Sequence, residues 1–375
     1  MADEWLLLIS HEAQHKEVAL LHNGILMEFY RENEATLVGA VILGRVERVL
    51  PDVRAAFVRV GQPLNGFLPL KETESYHRTS GSEPLMSGQE ILVQVKKDPK
   101  GGKGAFLTRD IALPGQYLLL MPKNRFVGLS KRIDSEEERH QAKALGERIS
   151  GNRFGIIVRH AALFASEQEV RQEAETLWDA WRQLEQNASC AKAPLLMHHE
   201  SSMQEILLRD YSARHEMVVS EELQLWEEYR VKEQLTQALK RRVELPGGGS
   251  LVIDEREALQ TIDVNSGSSV KAAEGMSLPL EENLKAVAEI ARQIRLRNLS
   301  GIILVDFIDM DTEAERQQVL SAMQEATRDD RVKTVIHGFT RLGLLEMTRK
   351  RTSDSLREAL TIPCAVCGGA GAMIQ

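Results

Sequence analysis

Five short β-rich segments follow one another between residues 36 and 111, and they constrain the fold more than any other feature of the chain. Turn-forming residues separate the segments, which are 36–49, 53–60, 65–70, 89–97 and 104–111. Five strands within a stretch of about 75 residues are typical of a small closed barrel of the OB type. We therefore expect such a barrel at 36–110.

The barrel segment differs in charge from the rest of the chain. Residues 36–110 contain 11 Lys and Arg against 8 Asp and Glu, whereas the whole chain of 375 residues has a formal net charge of −8. With 43% hydrophobic and 27% charged residues, the composition excludes a disordered or collagen-like chain. The local positive excess predicts that the barrel has a different partner from the rest of the protein.

Cysteine usage and the N-terminus indicate a cytoplasmic protein. The 3 cysteines are too few for a disulfide scaffold. Asp3 and Glu4 stand where a signal peptide needs basic residues, and no stretch approaches the roughly 20 apolar residues of a membrane span. We expect no membrane segment.

The remaining segments predict further mixed α and β structure. Residues 1–35 form short strands around a hairpin turn at Asn23-Gly24, and so small a sheet has to pair with a later segment. Helices are expected from Ser135, from Ser166 and over 221–240. Beyond residue 246, strands alternate with helices, which indicates a layered α/β or α+β domain. Its expected elements are strands at 250–254, 259–264, 301–307 and 332–336, and helices at 279–298, 312–328 and 343–360.

An aromatic side chain shares one face of a barrel strand with a cation. Because side chains alternate along a strand, Phe57 and Arg59 lie on the face opposite Val58. An unpaired base can stack on such a phenylalanine, while Phe67 and Lys103 would add a second platform and a phosphate contact. The alternative is that either phenylalanine belongs to the barrel core.

Acidic residues end two predicted strands of the last domain. Asp263 and Asn265 are two apart on one strand, and Asp306 follows four apolar residues on the next. Carboxylates brought together at strand ends repel each other unless a hard cation such as Mg²⁺ lies between them. The alternative is structural: Asp309 or Asp311 would cap the helix that follows.

Two further features leave alternatives open. Basic residues near these acids form either a solvated face or a phosphate-binding rim; they are Arg292, Arg295, Arg297, Arg341, Arg349, Lys350 and Arg351. Cys364 and Cys367 form a C-x-x-C pair, half of a tetrahedral zinc site. Either this pair is free, or a second copy of the chain completes the site.

Seven short motifs together resemble the ribonuclease E/G family, and in particular its short, ribonuclease G-like members. They run in family order and are AAFV (55–58), GFLPLK (66–71), LMP (120–122), IVR (157–159), IDVNS (262–266), VDFIDM (305–310) and GLLEMTR (343–349). The resemblance implies an endoribonuclease that cuts single-stranded RNA in ribosomal RNA maturation and messenger RNA decay, leaving 5′-phosphate and 3′-hydroxyl ends.

The resemblance also assigns residues. Asp263 and Asp306 match the metal-holding aspartates, with Asp309 as a third candidate ligand, and Asn265 matches a supporting residue. Mg²⁺ is the implied cofactor and Mn²⁺ an alternative. Phe57, Phe67 and Lys103 would bind RNA. Gly115, Arg159, His160 and Arg341 would sense a 5′-terminal phosphate, although His160 stands where the family has a hydroxyl residue.

The implied domains follow family order. They are an RNase H-like piece split between 1–35 and 201–245 and shortened in its second part, an S1 barrel at 36–110, a 5′-end sensor at 111–200, a DNase I-like catalytic domain at 246–360 and a zinc-link tail at 361–375. Cys364 and Cys367 would share zinc with a second chain, giving a homodimer. The chain ends eight residues after Cys367, so we expect neither the small C-terminal domain of larger members nor a tail that recruits degradosome partners.

Two other functions remain open. One is a non-catalytic single-stranded RNA-binding protein derived from this family. The other is a different metal phosphoesterase that acts on DNA or on a small phosphate ester. The intact set of Asp263, Asn265 and Asp306 favours the nuclease.

Overall fold

The computed structural model describes residues 4–11, 15–32, 37–73, 84–99, 102–133, 135–199, 202–212, 214–246, 248–256, 258–267, 276–328, 330–362 and 364. By its internal contacts the chain divides into two compact units. The first unit contains residues 1–32 and 217–375, and the second contains residues 33–216. The fold is mixed α+β, as the sequence predicts.

The N-terminal segment of the first unit is an antiparallel ribbon of three strands. These are β1 (Trp5–Ser10), β2 (Lys16–His22) and β3 (Ile25–Glu32). Asn23 and Gly24 both have positive φ, which confirms the predicted hairpin turn. β1 also pairs in parallel with a strand at Met217–Ser220, so the ribbon does pair with a later segment.

The second unit begins with the predicted barrel. Its strands are β4 (Val41–Leu50), β5 (Ala55–Arg59), β6 (Gly66–Pro69), β7 (Glu90–Lys97) and β8 (Phe106–Thr108). They pair in the order β4-β5-β6-β8-β7, and β7 pairs again with β4, which closes the barrel. The interior is filled by small and branched apolar side chains, because alternate residues of every strand point inward.

A second sheet follows the barrel. It consists of β9 (Leu113–Pro114), β10 (Leu118–Met121), β11 (Val127–Leu129) and β12 (Gly155–Val158), in the order β11-β12-β10-β9. The unit also contains α1 (Glu136–Ser150), α2 (Glu167–Cys190), β13 (Leu195–His198) and α3 (Met203–Tyr211). Ser166 and Glu169 form a reciprocal capping box at the start of α2, whereas the side chain of Ser135 makes no cap hydrogen bond to α1.

The chain returns to the first unit with β14 (Met217–Ser220), α4 (Leu223–Glu228) and α5 (Val231–Ala238). The helical structure predicted over 221–240 is confirmed, but as two short helices. Arg230 adopts a left-handed conformation with φ of 49° and separates α4 from α5.

A six-stranded sheet dominates the rest of the first unit. Its strands are β15 (Arg242–Glu244), β16 (Ser250–Glu255), β17 (Leu259–Asn265), β18 (Gly301–Asp306), β19 (Thr334–Phe339) and β20 (Leu345–Arg349), in the order β15-β16-β17-β18-β20-β19. The associated helices are α6 (Leu278–Leu296), α7 (Glu313–Arg328) and α8 (Leu356–Leu360). α6 and α7 contribute to the same apolar core as the inward-facing residues of the sheet.

The helix predicted near 343–360 is mostly wrong. Its first part is β20, in which Leu345, Met347 and Arg349 are buried while Glu346 is exposed. This alternation has the period of a strand rather than of a helix. Within the described residues, no helix is both long and apolar enough to cross a bilayer.

Candidate active site

The six-stranded sheet has two different faces where β17 and β18 lie side by side. Ile262 and Val264 on β17, with Ile303 and Val305 on β18, point into the apolar core. Residues between them along each strand point the other way, toward solvent. This open face of the sheet therefore carries the polar side chains that the sequence singles out.

Asp263 and Asp306 are direct neighbours on the open face. They are Cα partners in the parallel pairing of β17 with β18, and both are exposed. The Nδ2 group of Asn265 donates a hydrogen bond of 2.8 Å to Oδ2 of Asp263. The structure thus brings together the three residues that the sequence predicts to act together.

Charge accumulates at this pair of carboxylates. The pKa of Asp306 is raised above its ordinary value by partial burial, by the charge of Asp263 and by the charge of Asp309. Asp309 is exposed and follows the end of β18. A bound cation would relieve this repulsion, because it neutralises both carboxylates at once.

The donor set at the pair fits a hard cation. The side chains of Asp263, Asn265 and Asp306 all carry oxygen atoms, and Mg²⁺ is usually bound by one or two carboxylates together with several waters. No group of three or more His, Cys, Asp or Glu side chains placed to hold a metal occurs in the part of the chain that the structure describes. Asp263 and Asp306 would therefore form a two-carboxylate site.

One residue that supports the site is missed by the sequence. Asn283, fully buried on α6, donates a hydrogen bond of 2.8 Å to the carbonyl oxygen of Ile308 and accepts one of 2.9 Å from the N–H of Ile308. These two bonds fix the segment between Asp306 and Asp309. The available signal was a single Asn within an apolar helical pattern.

Three of the seven basic residues fit neither alternative, a solvated face or a phosphate-binding rim. Arg295 binds Glu28, and Arg297 binds Gln293 and a backbone carbonyl, both in the interior of the unit. Arg349 is likewise buried and paired with Asp330. These cations stabilise the fold and are too deeply buried to bind a phosphate; burial lowers the pKa of Arg297 to about 10.

The predicted RNA-binding phenylalanines lie outside the barrel core. Phe57 and Phe67 are Cα partners across β5 and β6, half-buried, with ring centroids 5.9 Å apart. Lys103 is exposed in the loop before β8. A Cβ at Gly104 would lie 1.9 Å from the carbonyl oxygen of Asn65, so this loop passes too close for any other residue.

A tight turn surrounds Gly115. A Cβ at this position would lie 2.5 Å from the carboxylate of Glu173 on α2. That carboxylate accepts hydrogen bonds from the backbone N–H groups of Gln116, Tyr117 and Leu118 at 2.5, 2.8 and 3.0 Å. Any side chain at position 115 would displace this carboxylate and disturb its three hydrogen bonds.

Three of the predicted sensor residues meet in the second unit. The guanidinium of Arg159 donates to the carbonyl oxygen of Gly115 and to the carboxylate of Asp210, each at 2.6 Å. His160 follows at the start of a short 3-10 helix. Arg341 belongs to the first unit, where it is exposed in the turn between β19 and β20. Asp210 is a partner of Arg159 that the sequence did not indicate.

Of the predicted zinc ligands, Cys364 is exposed. Cys367 lies outside the described residues. The zinc site stays a prediction.

Comparison with known proteins identifies the family. The sequence model of the Ribonuclease E/G family matches residues 112–222 and 212–352. The chain belongs to this family. It is 37% identical to Ribonuclease G of Haemophilus influenzae and 36% identical to Ribonuclease G of Escherichia coli K12, each over 97% of this chain and 83% of the relative. It is also 35% identical to Ribonuclease E of Synechocystis, over 96% of this chain and 59% of that relative.

Proposed function

We propose that this protein is a metal-dependent endoribonuclease that hydrolyses single-stranded RNA and leaves 5′-phosphate and 3′-hydroxyl ends. The observation that carries the proposal is the direct pairing of Asp263 with Asp306 on the open face of the sheet. It occurs in a chain whose relatives are named Ribonuclease G and Ribonuclease E.

Each residue of the site has a role in this proposal. Asp263 and Asp306 hold Mg²⁺, with Mn²⁺ as an alternative, and Asp309 adds negative charge next to them. When bound, the ion supplies an activated water and stabilises the charge that develops on the scissile phosphate. Asn265 orients the carboxylate of Asp263 through its hydrogen bond.

Two further sites would select the substrate. The barrel holds single-stranded RNA by stacking bases on Phe57 and Phe67 and by contact between Lys103 and the backbone. Arg159, beside Gly115 and His160, reads a terminal 5′-monophosphate, because a guanidinium presents several donors to phosphate oxygens. Arg341 assists it.

We also propose the domain organisation and assembly of the family. The first unit then contains the DNase I-like catalytic domain and most of the RNase H-like piece, and the second contains the S1 barrel, the 5′ sensor and residues 201–216 of the RNase H-like piece. Cys364 and Cys367 share a structural zinc with a second chain, which makes the protein a homodimer that works on ribosomal RNA precursors and messenger RNA. Zinc content and the molar mass in solution, before and after chelation, test this assembly.

The test of the activity is cleavage of a short 3′-labelled RNA with a 5′-monophosphate, in Mg²⁺ and in EDTA. We expect cutting in Mg²⁺ and none in EDTA. A ligase that requires a 5′-phosphate and a 3′-hydroxyl should be able to join the product ends. A DNA oligonucleotide of the same sequence should stay intact; equal cutting of DNA would point to a different phosphoesterase. Tight RNA binding without cutting would instead favour the non-catalytic alternative.

A further inference from the structure

Five side chains form one row across the outside of the barrel. Register pairs Arg48 with Phe57, Phe57 with Phe67, Phe67 with Phe106 and Phe106 with Lys97, on strands β4, β5, β6, β8 and β7 in turn. Residues directly opposite each other in paired strands point to the same face of a sheet. The row thus has three aromatic rings in its middle and a cation at each end.

The row lies outside the barrel core. Val58, Leu68 and Leu107, which follow Phe57, Phe67 and Phe106 along their strands, are fully buried in that core, and none of the three phenylalanines belongs to it. All three rings are only half-buried. Phenylalanine is usually an interior residue, so three adjacent half-buried rings outside the core mark an interaction surface.

The rings are arranged to receive planar groups. The centroids of Phe67 and Phe106 lie 6.0 Å apart with their planes inclined at 51°, and those of Phe57 and Phe67 lie 5.9 Å apart at 65°. Neither pair is a parallel stack that would cover the ring faces. The Nζ atom of Lys97 lies 5.8 Å from the Phe106 centroid, so a cation adjoins this ring.

We propose that Phe106 and Lys97 form a third base-stacking position for single-stranded RNA, next to the positions of Phe57 and Phe67. The ring of Phe106 stacks on the base, and Lys97 contacts a neighbouring phosphate. Bases with π-faces linked by phosphates match a row of rings flanked by cations, whereas an acidic peptide would match only its ends. This proposal rests on the RNA-binding function proposed above.

Binding is measured by fluorescence anisotropy in EDTA, with 3′-labelled oligoribonucleotides of increasing length. Replacement of Phe106 by Ala should weaken binding about 5- to 150-fold, the range that the loss of one stacked base gives. In the wild type, affinity should increase at the oligonucleotide length that first fills this position. Phe106→Ala should lose that increase and keep the increases that occur at shorter lengths. Phe106→Tyr should bind as the wild type does, because a tyrosine ring also stacks.

Matched variants separate stacking from folding. Phe126→Ala removes another exposed aromatic ring of the same unit that lies outside the row, and it should leave binding unchanged. Phe106→Leu retains apolar volume without a ring, so it should melt like the wild type and bind RNA as weakly as the alanine variant. Lys97→Ala should make binding less sensitive to salt: the negative slope of log affinity against log salt should become less steep by about 0.7, the value for one lost phosphate contact.

The outcomes distinguish this proposal from the proposed function. Weaker binding in Phe57→Ala together with wild-type binding in Phe106→Ala and Phe106→Leu would overturn the third position and leave barrel binding intact. Unchanged binding in all three variants would overturn barrel binding itself. If poly-aspartate bound as tightly as RNA and lost affinity equally in Phe106→Ala, the row would be a general polyanion site and base stacking would be refuted.

Discussion

Removal of the Asn265 side chain tests how the candidate active site is organised. In the Asn265→Ala variant, Asp263 loses the 2.8 Å hydrogen bond that orients its carboxylate, while both aspartates remain in place. Residues that orient metal ligands typically change metal affinity or activity by about 10- to 100-fold. We therefore expect the Mg²⁺ concentration for half-maximal cleavage to rise within that range. Because Asn265 is exposed, stability should change by less than about 0.5 kcal/mol.

The assay is a titration of Mg²⁺ at a fixed, saturating RNA concentration, with the melting temperature measured on the same samples. Activity should recover at high Mg²⁺, because the two carboxylates are retained. The matched control is Gln260→Ala, which alters another uncharged amide side chain near the start of the same strand. An Asn265→Ala variant with a wild-type Mg²⁺ requirement would refute the role of this residue.

Three further predictions address other parts of the chain. Asp330→Ala leaves Arg349 buried without its carboxylate and should lower the free energy of unfolding by about 3–5 kcal/mol in denaturant titrations; a loss below about 1 kcal/mol would contradict this. Gly115→Ala forces a methyl group against Glu173 and should abolish the preference for 5′-monophosphate over 5′-hydroxyl RNA, with 5′-hydroxyl RNA cut as before; a retained preference would count against the sensor. Asp309→Asn removes one of the charges that raise the pKa of the aspartate at the end of β18, so the acid limb of the pH–rate profile should move to lower pH; an unmoved or raised limb would contradict that coupling.

Local patterns predict much of the fold because they depend on nearby residues. The barrel strands, the turn at Asn23-Gly24 and the helix that begins after Ser166 all follow from alternation, turn chemistry and capping. The helix predicted near 343–360 fails because Leu345 and Met347 are two apart, the period of a strand. In so short a segment, periodicity separates strand from helix poorly.

The candidate site was predictable in composition but not in arrangement. Alternation places Asp263 and Asn265 on one face, yet the position of Asp306 beside Asp263 depends on the parallel register of β17 with β18 across the intervening helix. Arg297 was expected on a solvated face or a phosphate-binding rim, but it is buried because α6 packs into the unit on that side. Phe106 had a local signal, a ring between buried Ala105 and Leu107, but only the barrel register aligns it with Phe67.

The central claim is that Asp263 and Asp306 form a metal-dependent catalytic pair for RNA cleavage. The most direct test compares the wild type with Asp306→Asn, measuring cleavage of 5′-monophosphorylated RNA in Mg²⁺ and binding of the same RNA in EDTA. We predict that the variant loses cleavage and keeps wild-type binding, because Asp306 holds the ion and the barrel holds the RNA. Cleavage at the wild-type rate by Asp306→Asn, or wild-type cleavage that persists in EDTA, would contradict the claim.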